Sequence, residues 1–151
     1  MRKCNALQRI SALVLIGVLS LCSVSAYGQE KPYTHGSVWS ISMIRVKPGM
    51  LDVYMRDVLP LRKKMNEEAM KQGLLLSSHI LTGPAAGRDD FDVMFLDEYK
   101  NWAAFDGLAA KYDAIASKIV GTEEKQVQLM TKRTEVREIL GEKAMQELIA
   151  K

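Results

Sequence analysis

The chain has 151 residues, 48% of them hydrophobic and 26% charged, with two cysteines and a formal net charge of +3. Residues 1–26 hold Arg2, Lys3 and Arg9 and no acid, so the remaining 125 residues carry 18 basic and 18 acidic side chains and no net charge. A neutral body of that size is enough for one domain with a real core, and the compositional case for nucleic acid or an anionic membrane as partner is removed.

In chain order, the basic start leads into an apolar run from Ile10 to Leu21, and Val24-Ser25-Ala26 closes it with small residues. That layout predicts a secretory signal peptide over residues 1–26, cleaved near Ala26, and a periplasmic or secreted mature protein. The run falls short of the about 20 residues that span a bilayer comfortably, so no stable membrane anchor is expected after cleavage. Leu21 stands where lipoprotein processing before Cys22 would need a small residue. Cys4 and Cys22 both leave with the signal, which excludes a disulfide scaffold or a Cys-ligated metal site in the mature chain.

Residues 27–36 (YGQEKPYTHG) are polar and read as a flexible lead-in that contains His35. Ser37–Val46 alternates, with Trp39, Ile41 and Met43 on one side and Ser40 and Ser42 on the other, which predicts a strand ended by Lys47-Pro48-Gly49. Leu51, Tyr54, Met55, Val58, Leu61, Met65 and Ala69 follow at helical spacing. Pro60 predicts a kink or the start of a second helix, and Gly73 a C-cap. Leu74–Leu81 and Phe91–Tyr99 are expected as strands of a hairpin joined by the loop 82–90. Asn101–Val120 reads as helix bent at Gly107, and a last helix begins after Thr122 and runs to about Arg137. The tail 138–151 fits a helix face through Met145, Leu148 and Ile149, and equally an alternating strand through Met145, Glu147 and Ile149.

This order predicts an α+β, ferredoxin-like split βαβ domain over residues 37–151: a four-stranded antiparallel sheet with helices on one face. The other face is expected to present Ser40, Ser42, Ile44, Ser77, His79, Leu81, Met94 and Leu96. A surface that apolar calls for a cover, most simply a second copy of the chain.

The run Ile44-Arg45-Val46-Lys47-Pro48-Gly49-Met50-Leu51-Asp52-Val53-Tyr54, the segment Leu59-Pro60-Leu61-Arg62-Lys63-Lys64, and Phe91–Phe95 with Trp102 and Phe105 after it together resemble the dimeric α+β barrel superfamily, which includes NIPSNAP-like domains and antibiotic-biosynthesis-type monooxygenases. The resemblance covers most of Ser37–Val120. Arg137–Lys143 is similar to the run before the last strand of exported members, which favours Ala144–Ile149 as strand four. It implies a dimeric barrel, although no complete catalytic set of the monooxygenases is matched.

His79 and Asp92 are the catalytic candidates: alternation turns His79 away from the helices, and the hairpin is expected to bring Asp92 beside it as an orienting carboxylate. Ser40, Ser42, Tyr54, Ser77, Met94 and Trp102 are candidates for a ligand pocket, with Tyr99 and Phe105 as further aromatic walls. The same aromatics, and the methionines on apolar stripes, also read simply as core. No metal site and no cofactor are implied, and haem ligation by His79 has the least support. The sequence therefore leads to an exported homodimer that is structural or binds a small apolar or aromatic molecule. The alternative is a cofactor-independent monooxygenase- or isomerase-like enzyme with His79 as base.

Overall fold

The computed structural model describes residues 30–151, and the expected signal peptide with residues 27–29 lies outside the described residues. One compact unit, Tyr33–Lys151, contains strands β1 (Tyr33–Val46), β2 (Ser77–Thr82), β3 (Val93–Tyr99) and β4 (Arg137–Ala150). Its helices are α1 (Leu51–Lys71), α2 (Leu108–Ile119) and α3 (Glu123–Thr134). The strands form one antiparallel sheet in the order β2-β3-β1-β4, the ferredoxin-like arrangement.

Several boundaries differ from the sequence reading, each for a local reason. β1 begins at Tyr33, four residues early, because Tyr33, Thr34 and His35 pair with Ala150, Ile149 and Leu148. His35 therefore sits in the sheet and not in a lead-in. β4 is correspondingly long, starting at Arg137 rather than Ala144, with register shifts between His35 and Val38 and between Met43 and Ile44. α3 stops at Thr134, three residues before the expected end. β2 begins at Ser77, since Leu75 before it is buried in the core (2% exposed).

α1 is a single helix through Pro60. Pro60 and Arg56 are on its exposed side, so the Arg56 carbonyl, which loses its helical donor, is open to water. The expected helix from Asn101 divides at Gly107, whose φ of +66° suits glycine, into a 3₁₀ turn (Trp102–Phe105) and α2. The Asn101 side chain caps the first piece by accepting from the Ala104 amide.

Two apolar clusters fill the space between sheet and helices. Ile44, Val46, Val93 and Phe95 of the sheet enclose Tyr54 and Val58 of α1. Tyr99 and Leu75 meet Ala69 of α1 and Ile115 of α2. Lys132 of α3 is tied to Asp57 of α1 at 2.8 Å.

Register fixes which side chains share each face. Val38, Ser40, Ser42 and Ile44 pair with Tyr99, Asp97, Phe95 and Val93, all on the helix side. The expected placement of Ser40, Ser42 and Ile44 on the open face is thus reversed. Ile44 is core, 1% exposed. The open face instead takes Trp39, Ile41 and Met43 from β1, beside Leu96 and Met94 of β3, His79 and Leu81 of β2, and Met145 of β4. None of these belongs to either core cluster, and Leu81 and Met145 are about half exposed (54% and 49%).

Candidate functional site

The candidate residues divide between the two faces of the sheet. His79, Ser77 and Met94 lie on the open face. There the His79 ring leans on Trp39, with centroids 6.2 Å apart and planes 31° from parallel. Asp92 does not join it. Asp92 precedes β3, and its carboxylate accepts a hydrogen bond of 3.0 Å from the Val46 amide, at the end of the sheet where β1 turns into α1. His79 pairs with Leu96, several residues along the ladder. The carboxylate on its side of the sheet is Glu98, opposite Ser77. The Ser77 hydroxyl donates to Glu98 at 2.6 Å, and this bond, a second from Ser37 and more weakly the charge of His79 hold the carboxyl below its usual range against a small opposing effect of burial.

Tyr54 is no pocket wall. It is buried in the core at 1% exposure, under the guanidinium of Arg137, which lies 5.6 Å from its ring centroid. Burial pushes its phenol up in pKa, with nearby arginines partly offsetting that. Trp102 is half exposed, and its indole N–H donates to Gln146 of β4 at 3.1 Å.

On the helix side, the structure brings two of the expected aromatic walls, Tyr99 and Phe105, together with Tyr112 and Asp97. An open cleft of about 440 Å³ is walled by Tyr99, Phe105, Leu108, Ala109 and Tyr112, with Asp97 at its floor. Its volume is within the range of small-molecule sites. Arg62 of α1 reaches Asp97 at 2.6 Å while its guanidinium stacks 4.1 Å from the Phe95 ring centroid. Both partners are about one-fifth exposed (18% and 19%). Arg62 also donates to Ser78 at 3.3 Å, and Asn66 donates to the same hydroxyl at 2.8 Å. The hydroxyls of Tyr99 and Tyr112 are 3.5 Å apart. Burial is the main reason both phenols are pushed above their ordinary pKa; the contact between them raises Tyr99 further and favours it as the donor. At neutral pH both rings are protonated, and they serve as hydrogen-bonding walls, not as bases.

The cleft therefore combines three aromatic walls with the Asp97 carboxylate, which Arg62 holds from outside the lining. That suits a ring-bearing or apolar molecule with one polar group. The missed signal was positional: Arg62 falls four residues after Val58 and eight after Tyr54, on the buried stripe of α1. A charge on such a stripe needs a partner. Its neighbours Lys63 and Lys64 are both exposed, so the basic run itself gives no sign that Arg62 turns inward. Among the described residues, no group of three or more His, Cys, Asp or Glu side chains is placed to hold a metal ion, and no helix is long and apolar enough to cross a membrane.

No protein-family model matches the chain, and no curated protein sequence matches it. Among solved structures, the chain is similar to a dimeric protein of unknown function and ferredoxin-like fold from Bacteroides fragilis NCTC 9343. Identity is 11% over 74% of this chain and 95% of that one, with a TM-score of 0.40. It is also similar to a dimeric ferredoxin-like protein from an uncultured marine organism, at 20% identity over 76% of this chain and 95% of that one, with a TM-score of 0.46.

Proposed function

We propose that the protein is an exported homodimer, a dimeric α+β barrel related to the NIPSNAP-like and monooxygenase-like domains, in which each subunit holds a small apolar or aromatic molecule. The observation that carries this reading is the open sheet face. Trp39, Ile41, Met43, Leu81, Met94, Leu96 and Met145 form a continuous apolar surface that neither core cluster uses. Monomeric proteins rarely leave such a patch in water, and a twofold axis covers it with an identical surface. The binding role rests on the cleft beneath Tyr99, Phe105 and Tyr112, with Asp97, itself fixed by Arg62, orienting the polar end of the ligand. Export rests on the features of residues 1–26.

The test is the mature chain, from Tyr27 onward, in size-exclusion chromatography with light scattering, followed by native mass spectrometry for a retained small molecule. A dimer that carries an apolar or aromatic compound, lost on Tyr112→Ala, supports the reading. A monomer at all micromolar concentrations overturns the assembly, and an empty cleft that takes up no aromatic probe overturns the binding role. Export is tested by amino-terminal sequencing of the protein from a periplasmic fraction, expected to start at Tyr27.

His79 against Trp39, with Glu98 on the same face, supports a second reading as a cofactor-independent enzyme. Pairing of two sheets would enclose that histidine and make it a usable base. Turnover of an activated phenol that disappears on His79→Ala favours it; no turnover in the wild type removes it.

A further inference from the structure

The end of the sheet opposite the aromatic cleft carries a second concavity, of about 310 Å³, where β1 runs into Lys47-Pro48 and α3 passes into β4. Its charged lining is Arg45, Lys47, Arg137 and Glu138. Glu138 is already engaged by Arg45 at 2.9 Å. Asp92, the other carboxylate at this end, is held by the Val46 amide on the β3 side. Lys47 and Arg137 are left facing the hollow, and among the described residues neither is ion-paired.

Arg137 is the more informative of the two. Its guanidinium is set over the ring of the buried Tyr54, which fixes its orientation, and its Nε is buried with no hydrogen-bond partner. An orphan donor of this kind is costly to a fold, the more so on a charged group. Arg133 of α3 interacts electrostatically with the same tyrosine. Burial, with Arg137's charge adding to it, pushes its pKa below the ordinary arginine value. The Arg137 guanidinium and the Lys47 ammonium on one hollow, with the charge of Arg133 acting on Arg137 from nearby and the sole lining carboxylate already occupied, make an arrangement whose self-repulsion an anion would relieve.

We propose that this corner is an oxyanion-binding site, taking a phosphate- or carboxylate-type group in the fork of Arg137 with Lys47 as the second cation. The site is independent of the sheet-face dimer and of the aromatic cleft. Thr134 borders it, but its hydroxyl is committed to the Thr131 carbonyl, so the cations carry the recognition.

The experiment uses the mature protein titrated with inorganic phosphate, with acetate, and with chloride at matched ionic strength, read by thermal shift and by the Nε–H resonance of Arg137 in ¹H–¹⁵N spectra. Saturable stabilisation by phosphate or acetate above the chloride effect, with movement of the Arg137 resonance, is expected, and the better of the two probes names the oxyanion type. Arg137→Gln should weaken binding at least tenfold, and Lys47→Gln several-fold. Lys47 is exposed, so its variant reports even if Arg137→Gln fails to fold. Phosphate and acetate that behave as chloride does, or binding unchanged in Lys47→Gln with a stationary Arg137 resonance, overturn the site.

Discussion

Leu96→Asp is the sharpest perturbation of the proposed dimer. Leu96 sits mid-face, opposite Ile41 of β1 on one side and His79 of β2 on the other. The β1–β3 ladder covers Val38–Ile44. At ~3.3 Å per residue and ~4.8 Å between strands, the four-stranded face spans roughly 23 Å by 19 Å. Two such faces together approach the low end of standard interfaces, which bury about 1,200–2,000 Å², and the long β1–β4 pair adds to this at one end. Such a dimer has little to spare. Losing the leucine forfeits about 1.5–3 kcal/mol of burial, and a short unpaired carboxylate between two sheets adds a desolvation cost of several kcal/mol. Twofold symmetry applies both twice. At about 1.4 kcal/mol per tenfold, the dissociation constant should rise by at least 10³-fold. Sedimentation equilibrium across roughly 0.1 μM to 1 mM protein, the range over which such constants fall, would show a monomer in place of the dimer. Leu81→Asp, at a site already half exposed in the subunit, should weaken the dimer with little effect on the fold. If both variants keep a wild-type dissociation constant while remaining folded by circular dichroism, the sheet face is not the interface.

Asp97→Asn should destabilise the fold by about 1–3 kcal/mol in urea melts, because it leaves the Arg62 charge partly buried beside Phe95; Arg62→Met, which keeps the stacking volume, should cost less. Ile44→Ala, in the centre of the first cluster, should cost about 2–5 kcal/mol by the same assay. Tyr99 and Tyr112 have folded pKa values above the unfolded one, so their contribution is complete below about pH 10 and is lost as pH rises beyond it. Stability measured from pH 8 to 11.5 should therefore fall steeply at the alkaline end, and Tyr99→Phe should flatten that fall. Glu98 has the opposite sign: its depressed pKa means that its contribution is present at neutral pH and fades as pH drops through the acid range, an effect that Ser77→Ala should reduce.

Element order was legible because it rests on period. The apolar residues of α1, the hairpin and the glycine at 107 each carry a local signal, and together they define the ferredoxin-like arrangement. The faces of β1 were not legible, because both carry apolar side chains. Val38, Ile44 and Val46 compete with Trp39, Ile41 and Met43, and Ser40 and Ser42 share the helix-side face with buried Val38 and Ile44. Since alternation is exact, one parity error moved three residues across the sheet. His79 and Leu81 were placed correctly because Ser77–Thr82 carries its apolar weight on Ile80, which packs on the first cluster. The aromatic cleft depends on Arg62 meeting Asp97 across 35 positions and on α2 docking beside β3, and no local pattern encodes either event.

The two longest strands stand at opposite ends of the folded unit and are hydrogen-bonded to each other; Ser42 and Glu142, 100 positions apart, meet in that ladder. The sheet is therefore closed by the last segment of the domain to be made. Until β4 arrives, β1 has an unsatisfied edge along its whole length, and loop closure over such a separation is slow. A chain delivered amino end first would stay pliable until β4 was available, and trimming β4 should abolish folding altogether instead of shortening the sheet by one strand.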